Sequence, residues 1–175
     1  MPTEDVETLC QTDRFRVVLT RQQGPGLKTH ERAVVRHPGA VVILPVLDDG
    51  RVCLIRNRRI SVDEELIELP AGALEPGEDP QIAAARELRE ETGYTASRWR
   101  RLHTFYLSPG ILDERMHLFL AQELTEGSAQ REPNEEIANL LAPWSEAVQM
   151  VFDERIRDAK TIVGLLYYDR IRGRE

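Results

Sequence analysis

The chain has 175 residues, 41% hydrophobic and 30% charged, with a formal net charge of -7. That size and balance fit one globular domain with a small extension and argue against wholesale disorder. The acidic balance disfavours nucleic acid or an anionic membrane as main partner, because both need a basic face. Any phosphate-bearing ligand would need local cations or metal ions.

In chain order, "MPTEDVETLC" (1–10) is acidic and has no apolar run, so it does not read as a signal peptide. No segment approaches the roughly 18 apolar residues of a membrane span, and the cytoplasm is the expected location. Cys10 and Cys53 stand far apart with no ligand pattern around them, which argues against a disulfide framework or a zinc site. "RFRVVLTR" (14–21) and "KTHERAVVRH" (28–37) are strand-like runs separated by the turn signal "QQGPG". "AVVILPVL" (40–47) and "RVCLIRNRR" (51–59) are joined through "DDG", a hairpin signature. "ELIELP" (65–70) is a further strand candidate, after which Pro70, Gly72, Pro76 and Gly77 break regular structure.

A helix is expected from Pro80 to Gly93, with Asp79 as N-cap and Ala84, Ala85 and Leu88 as its apolar stripe. "WRRLHTFYLS" (99–108) and "MHLFLAQEL" (116–124) read as strands around an "SPG" break. "REPNEEIANLLAP" (131–143) starts as an acidic loop and runs into a strand candidate. "WSEAVQMVFDERI" (144–156) and "DAKTIVGLLYYDRIRG" (158–173) read as helices. The sum is α+β: a mixed sheet with helices on its faces. An N-terminal β extension covers 1–38 and the main domain 39–175.

The expected helix from Pro80 poses an electrostatic question. At 100° per residue, Glu87, Glu90 and Glu91 fall within an arc of about 100°. Each like-charge i,i+3 or i,i+4 pair costs a helix about 0.2–0.5 kcal/mol. A solvated face is one reading. The other is a hard divalent cation such as Mg²⁺, which takes oxygen ligands and bridges to substrate phosphates.

The stretch "GALEPGEDPQIAAARELREETGY" (72–94) resembles the Nudix box, G-x5-E-x7-R-E-U-x-E-E-x-G-U, where U is a bulky aliphatic residue. Gly72, Glu78, Arg86, Glu87, Leu88, Glu90, Glu91 and Gly93 fall in register. Tyr94 departs from the pattern at a position that packs. The resemblance implies a Nudix α/β/α sandwich and cleavage of nucleoside diphosphates linked to another moiety, with Mg²⁺ or Mn²⁺. It implies that Glu87, Glu90 and Glu91 hold the metals, joined by the carbonyl of Ala71. Glu78 and Arg86 would support the loop and helix through an ion pair.

Three further features resemble the ADP-ribose pyrophosphatase subgroup: "ELPAG" set against the box, Pro109 fifteen positions after Tyr94, and the C-terminal "TIVGLLYY". The implied reaction is hydrolysis of the ADP-ribose pyrophosphate to AMP and ribose 5-phosphate. Relatives of similar layout act on GDP-mannose or other nucleotide sugars, and a non-catalytic ADP-ribose-binding protein is a third alternative. In the family the general base often sits on a loop outside the box. Here "NEEI" offers Glu135 and Glu136, of which Glu135 is preferred. Arg59, and less closely Arg58, are candidates for phosphate or terminal-ribose contacts. Glu68 is a candidate metal or substrate contact, or else an edge-strand charge. Pro109 and Glu114 complete the substrate-side candidates. The β extension is expected to pack on or swap with a second subunit in a homodimer, bringing Phe15 or Arg16 to the partner's adenine site.

Overall fold

A computed structural model describes residues 3–24, 29–131 and 136–174. Among the described residues there are ten strands and three α-helices: β1 (Thr3–Gln11), β2 (Arg16–Gln23), β3 (Thr29–Arg36), β4 (Ala40–Pro45), β5 (Arg51–Arg59), β6 (Glu64–Glu68), β7 (Ala71–Ala73), α1 (Pro80–Glu87), β8 (Thr95–Tyr106), β9 (Arg115–Thr125), β10 (Ile137–Pro143), α2 (Trp144–Phe152) and α3 (Ala159–Ile171). β1, β2 and β3 form their own antiparallel sheet. A four-stranded sheet runs β7-β4-β9-β8, with β4 and β9 parallel, and a three-stranded sheet runs β10-β5-β6. The expected turn between β4 and β5 is present, with Gly50 in the left-handed region (φ 81°) and Gly50 N–H donating to the Leu47 carbonyl, but the strands do not pair as a hairpin: an isolated bridge joins Val46 to Val52 at the turn, and beyond it β4 and β5 enter different sheets.

β4 is buried along its whole length, as a strand covered on both faces must be. Ala40, Val42 and Leu44 face one core with Leu54, Leu118 and Leu165 of α3. Val41 and Ile43 point the other way, into a second core with Ala83, Ala84 and Leu88 of the box helix. The alternating side chains of one strand therefore bind two helical layers, which makes the α/β/α sandwich. Tyr94 is buried in the second core, so the aromatic ring fills the packing position of the box. Cys53 lies there too, and burial pushes its thiol up to about 12, which leaves it inert.

The box helix differs from the expectation in two ways. Its apolar stripe is Ala83, Ala84 and Leu88, while Ala85 is exposed. Regular α geometry also stops at Glu87, and Leu88–Thr92 form a π-helical turn closed by Gly93 at φ 82°. Such turns are uncommon and concentrate at functional sites. The carbonyls there find partners from another part of the chain. Gln130 N–H donates to the Glu90 carbonyl at 3.0 Å, Arg131 Nε to that of Glu91 at 2.9 Å, and Asn139 Nδ2 to that of Thr92 at 2.8 Å. A Cβ on Gly93 would lie 2.6 Å from the Gly127 carbonyl oxygen, so glycine is needed for proximity as well as for φ.

Candidate active site

One cavity of about 820 Å³ gathers most of the residues singled out from the sequence. Glu87, Glu90 and Glu91 line it from the box, and Ala71 and Gly72 from β7. The π turn sets how the carboxylates are presented. Glu91 is buried, at 4% exposure, and its Oε2 accepts the Ala71 backbone N–H at 2.9 Å. Glu87 lies against Gly72, where a Cβ would fall 1.9 Å from the Glu87 carboxylate carbon. The missing side chain of Gly72 is the space that the Glu87 carboxylate occupies.

Arg86 ties the cluster together. Its Nη1 donates to Glu87 Oε1 at 2.6 Å and to Glu90 Oε2 at 3.3 Å. Nε and Nη2 grip the two oxygens of Glu78 at 3.0 Å each, and Nη2 also reaches the Ala73 carbonyl at 3.2 Å. The hydrogen bond from Arg86 holds the Glu78 carboxyl below its ordinary value, and Glu78 in turn raises that of Arg86. The guanidinium thus links the loop after β7 to the helix, as the expected Glu78–Arg86 pair requires.

Among the described residues, no group of three or more His, Cys, Asp or Glu side chains is drawn together as a ready metal site. Arg86 stands between Glu87 and Glu90 and supplies positive charge at that point. The donor chemistry still fits a hard divalent cation: three carboxylates and the backbone of Ala71 line one cavity.

The substrate-side candidates divide. Arg59 and Glu114 line the cavity. Arg58 follows strand alternation to the other face of β5 and pairs with Asp63 at 2.5 Å. Glu68 is an edge-strand residue, yet it is completely buried and accepts from Arg59 and Lys160, so its oxygens are committed within the protein. Pro109 lines a separate cavity of about 310 Å³ beside Arg36 and Asp113. Its loop is clasped to β3 by Val35 N–H to the Ile111 carbonyl and Asp113 N–H to the Val35 carbonyl. That clasp carries Glu114 to the main cavity, 3.4 Å from His37 Nδ1. Phe15 is half-exposed and lies outside the cavity lining, whereas Asp13 and Arg14 beside it belong to that lining. Glu135 lies outside the described residues, and Glu136 is exposed.

Sequence reasoning missed His37, Arg131, Asp158 and Lys160 as cavity residues. Asp158 and Lys160 carried a signal, a cap-like acid and a lysine at a predicted helix start. An ordinary solvated helix end looks the same.

A NUDIX domain model matches residues 35–163. The chain belongs to the NUDIX family. An ADP-ribose pyrophosphatase of Bacillus subtilis is 39% identical to this NUDIX protein over 145 residues, 82% of the chain and 78% of the relative. A methanol dehydrogenase activator of Bacillus methanolicus is 37% identical over the same shares. A GDP-mannose pyrophosphatase of Cronobacter sakazakii is 36% identical over 165 residues, 89% of the chain and 85% of the relative. The solved structure of an ADP compounds hydrolase superposes with a TM-score of 0.82 at 21% identity, covering 99% of this chain and 94% of that one, and so shares the NUDIX fold.

Proposed function

We propose that this NUDIX protein hydrolyses the pyrophosphate bond of ADP-ribose with Mg²⁺ or Mn²⁺, giving AMP and ribose 5-phosphate. The observation that carries the reading is the cavity itself, where the three box carboxylates and the Arg59 guanidinium line one space. A diphosphate needs both: cations on the protein for its oxygens, and carboxylates for the metal ions that accompany it. The relative named ADP-ribose pyrophosphatase supports the choice of substrate.

Divalent ions held by Glu87, Glu90, Glu91 and the Ala71 carbonyl would supply charge neutralisation at the diphosphate and an activated water. The protein's own residues provide position. Ala71 N–H orients Glu91, Gly72 leaves room for Glu87, and Arg86 keeps Glu87 and Glu90 from repelling the loop. Arg59 offers its guanidinium to a phosphate, and the Glu114 carboxylate, which also lines the cavity, offers an acceptor to a ribose hydroxyl. Glu135 is assigned the general-base role on the resemblance alone. The enzyme is assigned to the cytoplasm, consistent with two free cysteines and no described helix long and apolar enough to cross a membrane. The β1–β3 sheet is assigned to a homodimer interface, because its outer strand β1 is exposed throughout and shows Val6 and Leu9 to solvent.

A panel of ADP-ribose, GDP-mannose, NADH and diadenosine polyphosphates with Mg²⁺ tests the substrate. ADP-ribose should have the highest kcat/KM. A clear preference for GDP-mannose would install the second reading, which the Cronobacter relative's name supports. Tight ADP-ribose binding without turnover would make the chain a binding protein despite its complete set of box carboxylates.

A further inference from the structure

The wall of the cavity contributed by α3 holds four charged groups in one network. Glu68 is completely buried. Arg59 donates to it through two nitrogens, Nε to Oε1 at 2.8 Å and Nη2 to Oε2 at 2.6 Å. Lys160 Nζ donates to the same Oε2 at 2.6 Å and lies 3.0 Å from Asp158 Oδ1. Two acids and two bases make the corner neutral, as burial demands. Arg59, Asp158 and Lys160 line the cavity, while Glu68 lies behind them.

The corner is rigid because its backbone is fixed on both sides. Asp158 caps α3 by accepting the Thr161 N–H at 3.0 Å and its hydroxyl at 2.5 Å. The Thr161 oxygen then accepts the Leu69 N–H at 2.7 Å. Two residues further on, Ala71 N–H holds Glu91. The start of α3 and the box carboxylates are therefore joined through the segment 68–71.

Resting on the reading of a diphosphate ligand, we propose that Glu68 and Lys160 are positioning residues that hold the Arg59 guanidinium as a fixed oxyanion-binding fork. The two bonds to Glu68 use two of the five guanidinium donors and leave three, and Arg59 lines the cavity. Without Lys160, Arg59 would be the sole counter-charge to Glu68, and the corner would carry a net negative charge beside Asp158. Without the Asp158 charge, the corner would be net positive. Lys160 thus keeps Arg59 available to the substrate rather than spent on Glu68.

Lys160→Met and Asp158→Asn test this, because each removes one member of an ion pair but shifts the corner's charge in opposite directions. Asn also remains a competent helix cap. The readouts are KM and kcat for ADP-ribose with Mg²⁺, and calorimetric binding of inorganic pyrophosphate in chelator. Lys160→Met should raise KM and weaken pyrophosphate binding by about tenfold, the weaker end for losing a charged hydrogen-bond partner, with kcat nearly unchanged. Lys160→Arg should restore most of both. Asp158→Asn should tighten pyrophosphate binding. Weakened binding in both variants, or unchanged binding with only a lower Tm, would reduce the network to a structural role and overturn the proposal. Should Lys160→Met not fold, Asp158→Asn and Lys160→Arg still decide the sign. A wild-type protein that binds pyrophosphate in chelator yet hydrolyses no nucleoside diphosphate sugar would overturn the functional reading and leave the fork standing.

Discussion

Replacing Gly72 with alanine isolates the geometry of one carboxylate from the stability of the fold. The backbone tolerates the change, since Gly72 is outside the left-handed region. The new methyl, however, would lie 1.9 Å from both Cδ and Oε1 of Glu87. Non-bonded heavy atoms prefer about 3.5 Å or more, so the carboxylate must retreat by roughly 1.5 Å. It sits at the end of a flexible side chain and can do so. The cost is an off-rotamer strain of about 1 kcal/mol. Loss of the 2.6 Å bond from Arg86 adds about 1 kcal/mol more. For a chain of this size that lowers Tm by about 5 °C. Activity should suffer far more, because a misplacement of about 1 Å in a reacting site costs on the order of a hundredfold. The assay is initial-rate hydrolysis of ADP-ribose at saturating Mg²⁺ beside a thermal melt, for Gly72→Ala, Glu87→Gln and the double variant. The double variant should be no slower than Glu87→Gln alone, since both changes act on one group. Near-wild-type turnover in Gly72→Ala, or additive losses in the double variant, would refute the account of Gly72 as the seat of Glu87.

Glu91→Gln should lower turnover by about a hundredfold or more, beyond the effect typical of an outer partner, with an unchanged circular dichroism spectrum. Arg86→Ala strips Glu78 and Glu87, at 11% and 13% side-chain exposure, of their shared cation. It should destabilise by about 2 kcal/mol, below the fully buried case, and added Mg²⁺ should raise its Tm more than that of wild type. Burial opposes ionisation of Glu68, but the Arg59 hydrogen bond and the Lys160 and Arg59 charges outweigh it and hold the carboxyl below its ordinary 4.5. A depressed carboxyl stabilises fully above its unfolded value and loses that contribution as pH falls through the folded one. The stability gap between wild type and Glu68→Gln, read from urea midpoints, should therefore be constant near neutrality and shrink below about pH 4.5. Sedimentation should give twice the 20.0 kDa chain mass, with dissociation on removal of the β1–β3 sheet.

Much of the site could be read from the sequence because the box packs its chemistry into consecutive residues. Asp79 and Pro80 start the helix where local rules put them, and Gly72 stands where the backbone must leave space. The π turn could not be read that way. A 100° step assumes regular α-helix, whereas Leu88–Thr92 follow a wider turn whose carbonyls bond to Gln130, Arg131 and Asn139. No local pattern announces partners some forty residues away. Glu68 shows the same limit. A charge on an edge strand looks solvated until α3 arrives 92 residues later with Lys160. Arg58 and Arg59 were separable only in part, because alternation predicts opposite faces but not which face meets the cavity.

The crowding of like charges in the box thus has several separate remedies within the chain. Glu91 avoids its neighbours by turning inward to a backbone N–H, where a hydrogen bond compensates its burial. Glu87 and Glu90 share one edge of Arg86, whose other edge is anchored on Glu78. One guanidinium facing Glu78, Glu87 and Glu90, with Glu91 as a fourth carboxylate, leaves the cluster net negative, and the Ala71 N–H offsets only part of the Glu91 charge. Arg59 and Lys160 line the same cavity, but their charges are matched by Glu68 and Asp158 and leave that surplus largely uncompensated. A diphosphate entering alone would therefore bind weakly, held by the Arg59 fork against the negative box. One arriving with divalent ions would meet an attractive site, so substrate and cation should bind with positive coupling, each tightening the other by the same factor.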